Sequence, residues 1–168
     1  MSRRLAAVGR ARGFTLMELM ITVVIIAVLA SIAIPSYVAY VERGKRAAAR
    51  SALLAGASFL ERNFTTNGCY NFTSVAACQA QSGTAVALPD ALTRAPAEGR
   101  ASYIVTVSFA GSTTGQAFEL TATPCGSAGT CPAGSDPFKD AGCGALTLNQ
   151  AGARGRSGSE DLSVCWQR

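Results

Sequence analysis

Six cysteines, at positions 69, 78, 125, 131, 143 and 165, and no histidine in 168 residues limit the chemistry open to this chain. Zinc sites usually recruit imidazole or tightly spaced cysteine pairs, and no C-x-x-C occurs here. The thiols therefore point to disulfides formed in an oxidising compartment rather than to metal ligation. Spacing alone leaves the pairing open. The missing histidine also removes the usual general base, and neither a nucleophile elbow nor a phosphate-binding loop is present. The expectation is a protein that is not an enzyme and needs no cofactor.

One other group raises a chemical question. Glu18 is the single charge among the 21 residues from Phe14 to Ile34. At 1.5 Å per residue that run covers ~32 Å, matching a hydrocarbon core of about 30 Å, so it is expected to span a membrane. A carboxylate at the centre of such a span costs roughly 2.5–3.5 kcal/mol, so Glu18 calls for a partner or an interface. A cleaved secretory signal would use the same parts, with Ser31-Ile32-Ala33 as its cutting site. Glu18 would then interrupt the apolar region, and the helical pattern would have to stop at Ala33, which it does not.

The charge balance bears on partners. The net charge is +5, but Arg3, Arg4, Arg10 and Arg12 all precede Phe14, leaving 11 of the 15 basic residues against 10 acidic ones. Basicity is therefore weak support for a nucleic-acid partner. Arg43, Lys45, Arg46 and Arg50 balance the first four arginines, so the positive-inside rule does not orient the span. The cysteines do, placing residues 69–165 outside the cytoplasm.

These groups must be held by elements the pattern foretells. Pro35 lacks an N–H and should drop the bond to the Ser31 carbonyl, kinking or locally melting the helix. Beyond it, residues rich in Ala, Leu, Arg and Glu continue a helix to about Thr66, ~80 Å in all. Leu53, Ala57, Leu60 and Phe64 form one apolar stripe, Glu42 and Arg46 an i,i+4 pair on the wet side, and Asn67-Gly68 a stop signal. Residues 67–101 read as a loop. "SYIVTVSF" and "AFELTAT" alternate as strands joined by "AGSTTGQ", "GALTLNQAG" gives a third strand and "DLSVCW" a fourth. The fold class is α+β: an antiparallel sheet over residues 102–168, packed on the stripe of residues 35–66.

"RGFTLMELMITVVIIAVLASIAIPSY", residues 12–37, resembles the class III signal of type IV prepilins: a basic leader ending in Gly, then Phe-Thr-Leu-x-Glu, an apolar run and Pro-x-Tyr. The resemblance implies the type IV pilin fold and a structural, minor subunit of the PilE type. Residues 1–13 would be a leader that prepilin peptidase removes after Gly13, Phe14 would be N-methylated, and residues 14–34 would move from the inner membrane into the filament core. Other pilin subunits would be the partners, the N-terminus would start cytoplasmic and the head periplasmic, and the assembled pilus would be extracellular. "CGALTLNQAGARG…CW" resembles PilE-type pilins again and implies a Cys143–Cys165 pair. Cys125–Cys131 and Cys69–Cys78 would then be local pairs, a departure from the commoner single disulfide. Glu18, one turn after Phe14, would pair with the amine of a neighbour's Phe14 once the leader is gone.

A type II secretion pseudopilin would share residues 12–37, and a DNA-binding pilin of an uptake pilus would need a head that contacts DNA. Arg154-Gly155-Arg156 reads as a solvated basic loop, Asn63 and Asn71 as chance glycosylation sequons, and Phe59, Phe64, Tyr70 and Phe72 as packing rather than a stacking platform.

Overall fold

The computed structural model describes residues 13–109, 114–127 and 131–167. It divides into two compact units, Met1–Tyr40 and Val41–Arg168. Helix α1, Leu16–Asn67, contributes to both. The leader arginines 3, 4, 10 and 12 lie outside the described residues, as does the tip of the "AGSTTGQ" connection.

In the first unit the helix stands bare. Every large apolar side chain from Phe14 to Tyr40 is at least half exposed, and the best 18-residue window has a mean hydropathy of 2.6. Two of its hydroxyls turn inward on the backbone: Thr22 and Ser31 donate to the carbonyls of Leu19 and Val28 at 2.8 and 2.7 Å. That satisfies both hydroxyls without water, as an apolar medium requires. The helix passes through Pro35 unbroken. Local melting is therefore corrected: one missing N–H does not undo a helix whose neighbouring bonds remain.

In the second unit, residues 41–67 of α1 are followed by α2 (Val75–Ala80), a 3-10 turn (Asp90–Leu92), β1 (Arg94–Ala95), β2 (Tyr103–Ser108), β3 (Glu119–Pro124), β4 (Leu146–Asn149), β5 (Arg154–Arg156) and α3 (Leu162–Trp166). The five strands form an antiparallel sheet in sequential order. Period-2 alternation sends Tyr103, Val105, Leu120, Ala122, Leu146 and Leu148 to one face, where Ala49, Leu53, Gly56 and Leu60 of α1 meet them. Leu53 and Leu60 are buried as the stripe requires, while Ala57 and Phe64 are only partly covered. Gly56 explains the shift: a Cβ there would lie 3.3 Å from a Leu120 methyl, so the helix approaches the sheet closely at that turn. Asn67 ends the helix, and Gly68 follows at φ +85° with its N–H on the Phe64 carbonyl. Phe64 stacks on Tyr70, which meets Phe118 edge-on and donates its hydroxyl to Glu61 at 3.0 Å. Burial and that bond push the Tyr70 phenol up to about 12.

Three expectations need correction. The 67–101 stretch is not a plain loop, since it holds α2, the 3-10 turn and β1. "DLSVCW" is α3 rather than a strand: Cys165 and Trp166 are adjacent and both buried, which alternation on a half-buried strand does not allow. Arg154-Gly155-Arg156 is β5, paired to β4. Asn149 makes the turn, its side-chain oxygen accepting from the N–H groups of Ala151 and Ala153 while Gly152 takes φ +73°.

Arg46 also departs from the wet-side reading. It stands 3.9 Å from Glu42 but sends Nε and Nη2 to the Asp140 carboxylate, both at 2.7 Å. The Tyr103 hydroxyl donates to the same carboxylate at 2.7 Å and the Cys143 N–H at 2.9 Å. Beside this cluster Lys45 pairs with Asp136 at 2.6 Å and lies 4.4 Å above the Phe138 ring. Burial by itself would raise the Asp140 carboxyl, but Arg46, the Cys143 N–H and Tyr103 outweigh it and hold it below the ordinary carboxylate value. Burial and the Asp140 bond raise the Tyr103 phenol.

A carboxyl lowered on folding contributes stability that is complete above its unfolded value and is lost as pH falls through the folded one. We expect the head's melting temperature to drop on acidification below about pH 4. Asp140→Asn should lower it at neutral pH, by about 3–5 kcal/mol of unfolding free energy, because Arg46 loses its close bidentate partner and keeps only the partly exposed Glu42 carboxylate, 3.9 Å away. It should also flatten the acid limb. Thermal unfolding of the two proteins followed by circular dichroism across pH checks both.

Candidate functional site

The N-terminal residues are arranged as a helix start. Thr15 precedes α1, and its Oγ1 accepts the Glu18 N–H at 3.2 Å while its carbonyl accepts the Leu19 N–H at 3.1 Å. Thr15 is therefore the N-cap and Glu18 the third helical residue, the positions of a capping box. A carboxylate in the first turn is also favoured by the helix dipole. Thr15 is the functional residue that sequence reasoning passed over, although T-x-x-E ahead of an apolar run was a readable signal. Gly13 is exposed and has nothing within 4 Å of where a Cβ would sit. Phe14 is 80% exposed. The structure does not join Glu18 to Phe14: with the leader in place the Phe14 nitrogen is an amide, so no ammonium is there to pair with.

In the head the cysteines are joined as Cys69–Cys78, Cys125–Cys131 and Cys143–Cys165, with Cα separations of 5.7, 5.5 and 5.6 Å. Cys143 and Cys165 are wholly buried. Their bond brings α3 to the start of β4, next to the Asp140 cluster that already holds the Cys143 N–H. Asn63 gives its amide to the carbonyls of Cys69 and Phe72, at 2.9 Å each, so this sequon side chain is engaged in closing the helix end.

Around α3 the arginines gather. The Arg154 guanidinium lies 5.2 Å over the Trp166 ring, and the Trp166 indole N–H donates to the Gly155 carbonyl at 3.1 Å. Gly155 is needed there, because a Cβ would fall 2.3 Å from Thr147 Oγ1. Arg50 donates to the carbonyls of Cys165 and Gln167, and Arg156 to that of Gly158. Burial, then the nearby charges of Arg46 and Arg154, lower the Arg50 pKa. Exposed Arg154 beside an indole can contact phosphate or carboxylate groups, and a planar guanidinium over a ring is well suited to it. It offers no acid–base chemistry near neutral pH. Among the described residues no cluster of metal-ligating side chains occurs.

Comparison with known proteins places these parts. Residues 9–34 match the prokaryotic N-terminal methylation motif. Residues 35–147 match the family described as "Type IV minor pilin ComP, DNA uptake sequence receptor". The type IV major pilin protein PilA of Myxococcus xanthus (strain DK1622) is 52% identical over 46 residues, which is 27% of this chain and 21% of that protein. The chain thus aligns with about a fifth of that relative's length. A solved type IV pilin from Shewanella oneidensis is 24% identical, covering 66% of this chain and 86% of its own, at a TM-score of 0.36. A bare, capped apolar helix behind a methylation motif and a disulfide-linked antiparallel head are the parts of a pilin, and with the family match across most of that head the chain belongs to the type IV minor pilin ComP family.

Proposed function

We propose that this minor pilin, a structural subunit of a type IV pilus, is made as a membrane-anchored precursor and cut after Gly13 by a prepilin peptidase. Its N-terminus begins in the cytoplasm and its head in the periplasm, where the cysteines can pair. Phe14 is then methylated, and lateral packing of residues 14–40 carries the subunit from the membrane into the filament. The observation that carries this reading is the uncovered helix: its large apolar side chains from Phe14 to Tyr40 are all at least half exposed. Such a surface needs lipid first and other helices later. A secretion pseudopilin would share the N-terminal motif, but the minor-pilin match lies mainly in the head.

Glu18 has a separate role in each state. In the precursor it sits in the first helical turn, one turn from the helix end, where it can reach the interface. In a filament core it would be away from headgroups, and the charged amine freed at a neighbour's Phe14 would satisfy it and set the register between subunits.

A second reading is favoured by the family's description as a DNA uptake sequence receptor. The exposed Arg154 over Trp166 supports a phosphate contact in the head.

Three outcomes test these readings. N-terminal peptide analysis of filament protein should show Phe14 first, carrying one extra methyl group; a terminus near Ile34 would instead mark an ordinary secretory signal. Glu18→Val should insert and be cleaved normally, yet enter filaments about tenfold less, measured by quantifying the subunit in sheared pili. Entry at the wild-type level would remove the pairing role. Duplex DNA should bind the chain with a strong salt dependence, and Arg154→Gln should lower the slope of log affinity against log salt by about 1. An unchanged slope would take Arg154 out of the contact.

A further inference from the structure

Tyr37 and Tyr40 lie three residues apart on α1, so they share one face, and each is 68% exposed. Neither hydroxyl has a partner among the described residues. Packing in the head gives them no reason to be tyrosine, and the uncovered apolar run does not need a hydroxyl. Their distance along the helix does supply a reason. Counting from Leu16, they stand ~32 and ~36 Å up the axis, while a hydrocarbon core is about 30 Å thick and about 40–45 Å with its headgroup layers. With Leu16 at one boundary, both rings fall just past the other, in the headgroup layer. Val38 between them is half exposed, and Arg43 follows three residues after Tyr40, also exposed.

We infer that Tyr37 and Tyr40 form an interfacial anchor that fixes the depth of the precursor in the bilayer, their rings at the edge of the acyl chains and their hydroxyls among lipid headgroups. Amphipathic aromatic rings are enriched at this level because they satisfy both sides of it. The anchor opposes sliding in either direction. Deeper insertion buries unpaired hydroxyls, and withdrawal lifts apolar side chains into water. It rests on the membrane-anchored reading above and adds to it the partner of these two side chains.

The test uses the full-length chain carrying Val38→Cys, labelled on that thiol with a fluorophore, in vesicles of phosphatidylethanolamine and phosphatidylglycerol. Iodide in the aqueous phase reports exposure of the label. Changing the pair to Tyr37→Leu and Tyr40→Leu should let the helix settle deeper and cut iodide quenching by about half, whereas Tyr37→Trp and Tyr40→Trp should keep it at the unsubstituted level. If the leucine pair is quenched as strongly as the unsubstituted chain, the anchor is refuted while the membrane reading stands. If the unsubstituted chain is quenched equally with and without vesicles, residue 38 is not at a membrane and the membrane reading fails with the anchor.

Discussion

The Asp140 carboxylate, with its side chain wholly shut off from water, is the point on which the head depends. A lone ion there would be prohibitive, so the fold must deliver partners from distant parts of the chain. It brings Arg46 from the helix, the Tyr103 hydroxyl from β2 and the Cys143 N–H from the segment before β4. Helix, sheet and C-terminal segment thus meet at one group. Each partner is useful only when the others are present, because a half-satisfied buried network is worse than none. That mutual need selects one arrangement of the three.

Covalent links reinforce the same region. The head is small, with a single layer of sheet against one helix, and its core relies on short side chains such as Ala49, Gly56 and Ala122 where the layers come closest. Small domains with thin cores commonly add cross-links. Cys143–Cys165 closes the last part of the chain onto the Asp140 cluster, and Arg50 holds α3 by the carbonyls of Cys165 and Gln167. Arg154 and Trp166 are then presented together beside the edge strand β5. The fastening of the terminus thus sets the exposed cation over its indole.

The N-terminal unit follows the opposite rule. Its large apolar side chains from Phe14 to Tyr40 are at least half exposed, so its order comes from within: backbone bonds along the helix, Thr15 capping its start, and Thr22 and Ser31 returned to carbonyls. The hydroxyls of Thr15, Thr22 and Ser31 are satisfied by the helix's own backbone. A surface of this kind is suited to change its surroundings from lipid to neighbouring helices without refolding.

The apolar run, Gly13 before it and Glu18 within it are local pattern, and the sequence by itself determined the long apolar helix, the likeness to type IV pilins and the alternation of β2 and β3. Tyr103, Val105, Leu120 and Ala122 were readable because period 2 needs only near neighbours. The helix stop at Asn67-Gly68 was readable for the same reason. Tertiary structure decided the rest. Whether Arg46 faces water or Asp140 depends on residues 94 positions apart in the chain, and a nearby Glu42 made the wrong partner look sufficient. Whether "DLSVCW" is strand or helix turned on a disulfide that buries Cys165 beside Trp166. Arg154-Gly155-Arg156 became a strand only because Asn149 folded the chain back and Thr147 left room for a glycine. Spacing fixes which face of an element is apolar, but which partner meets a buried charge is fixed only when distant segments are brought together and the unpaired alternatives become too costly.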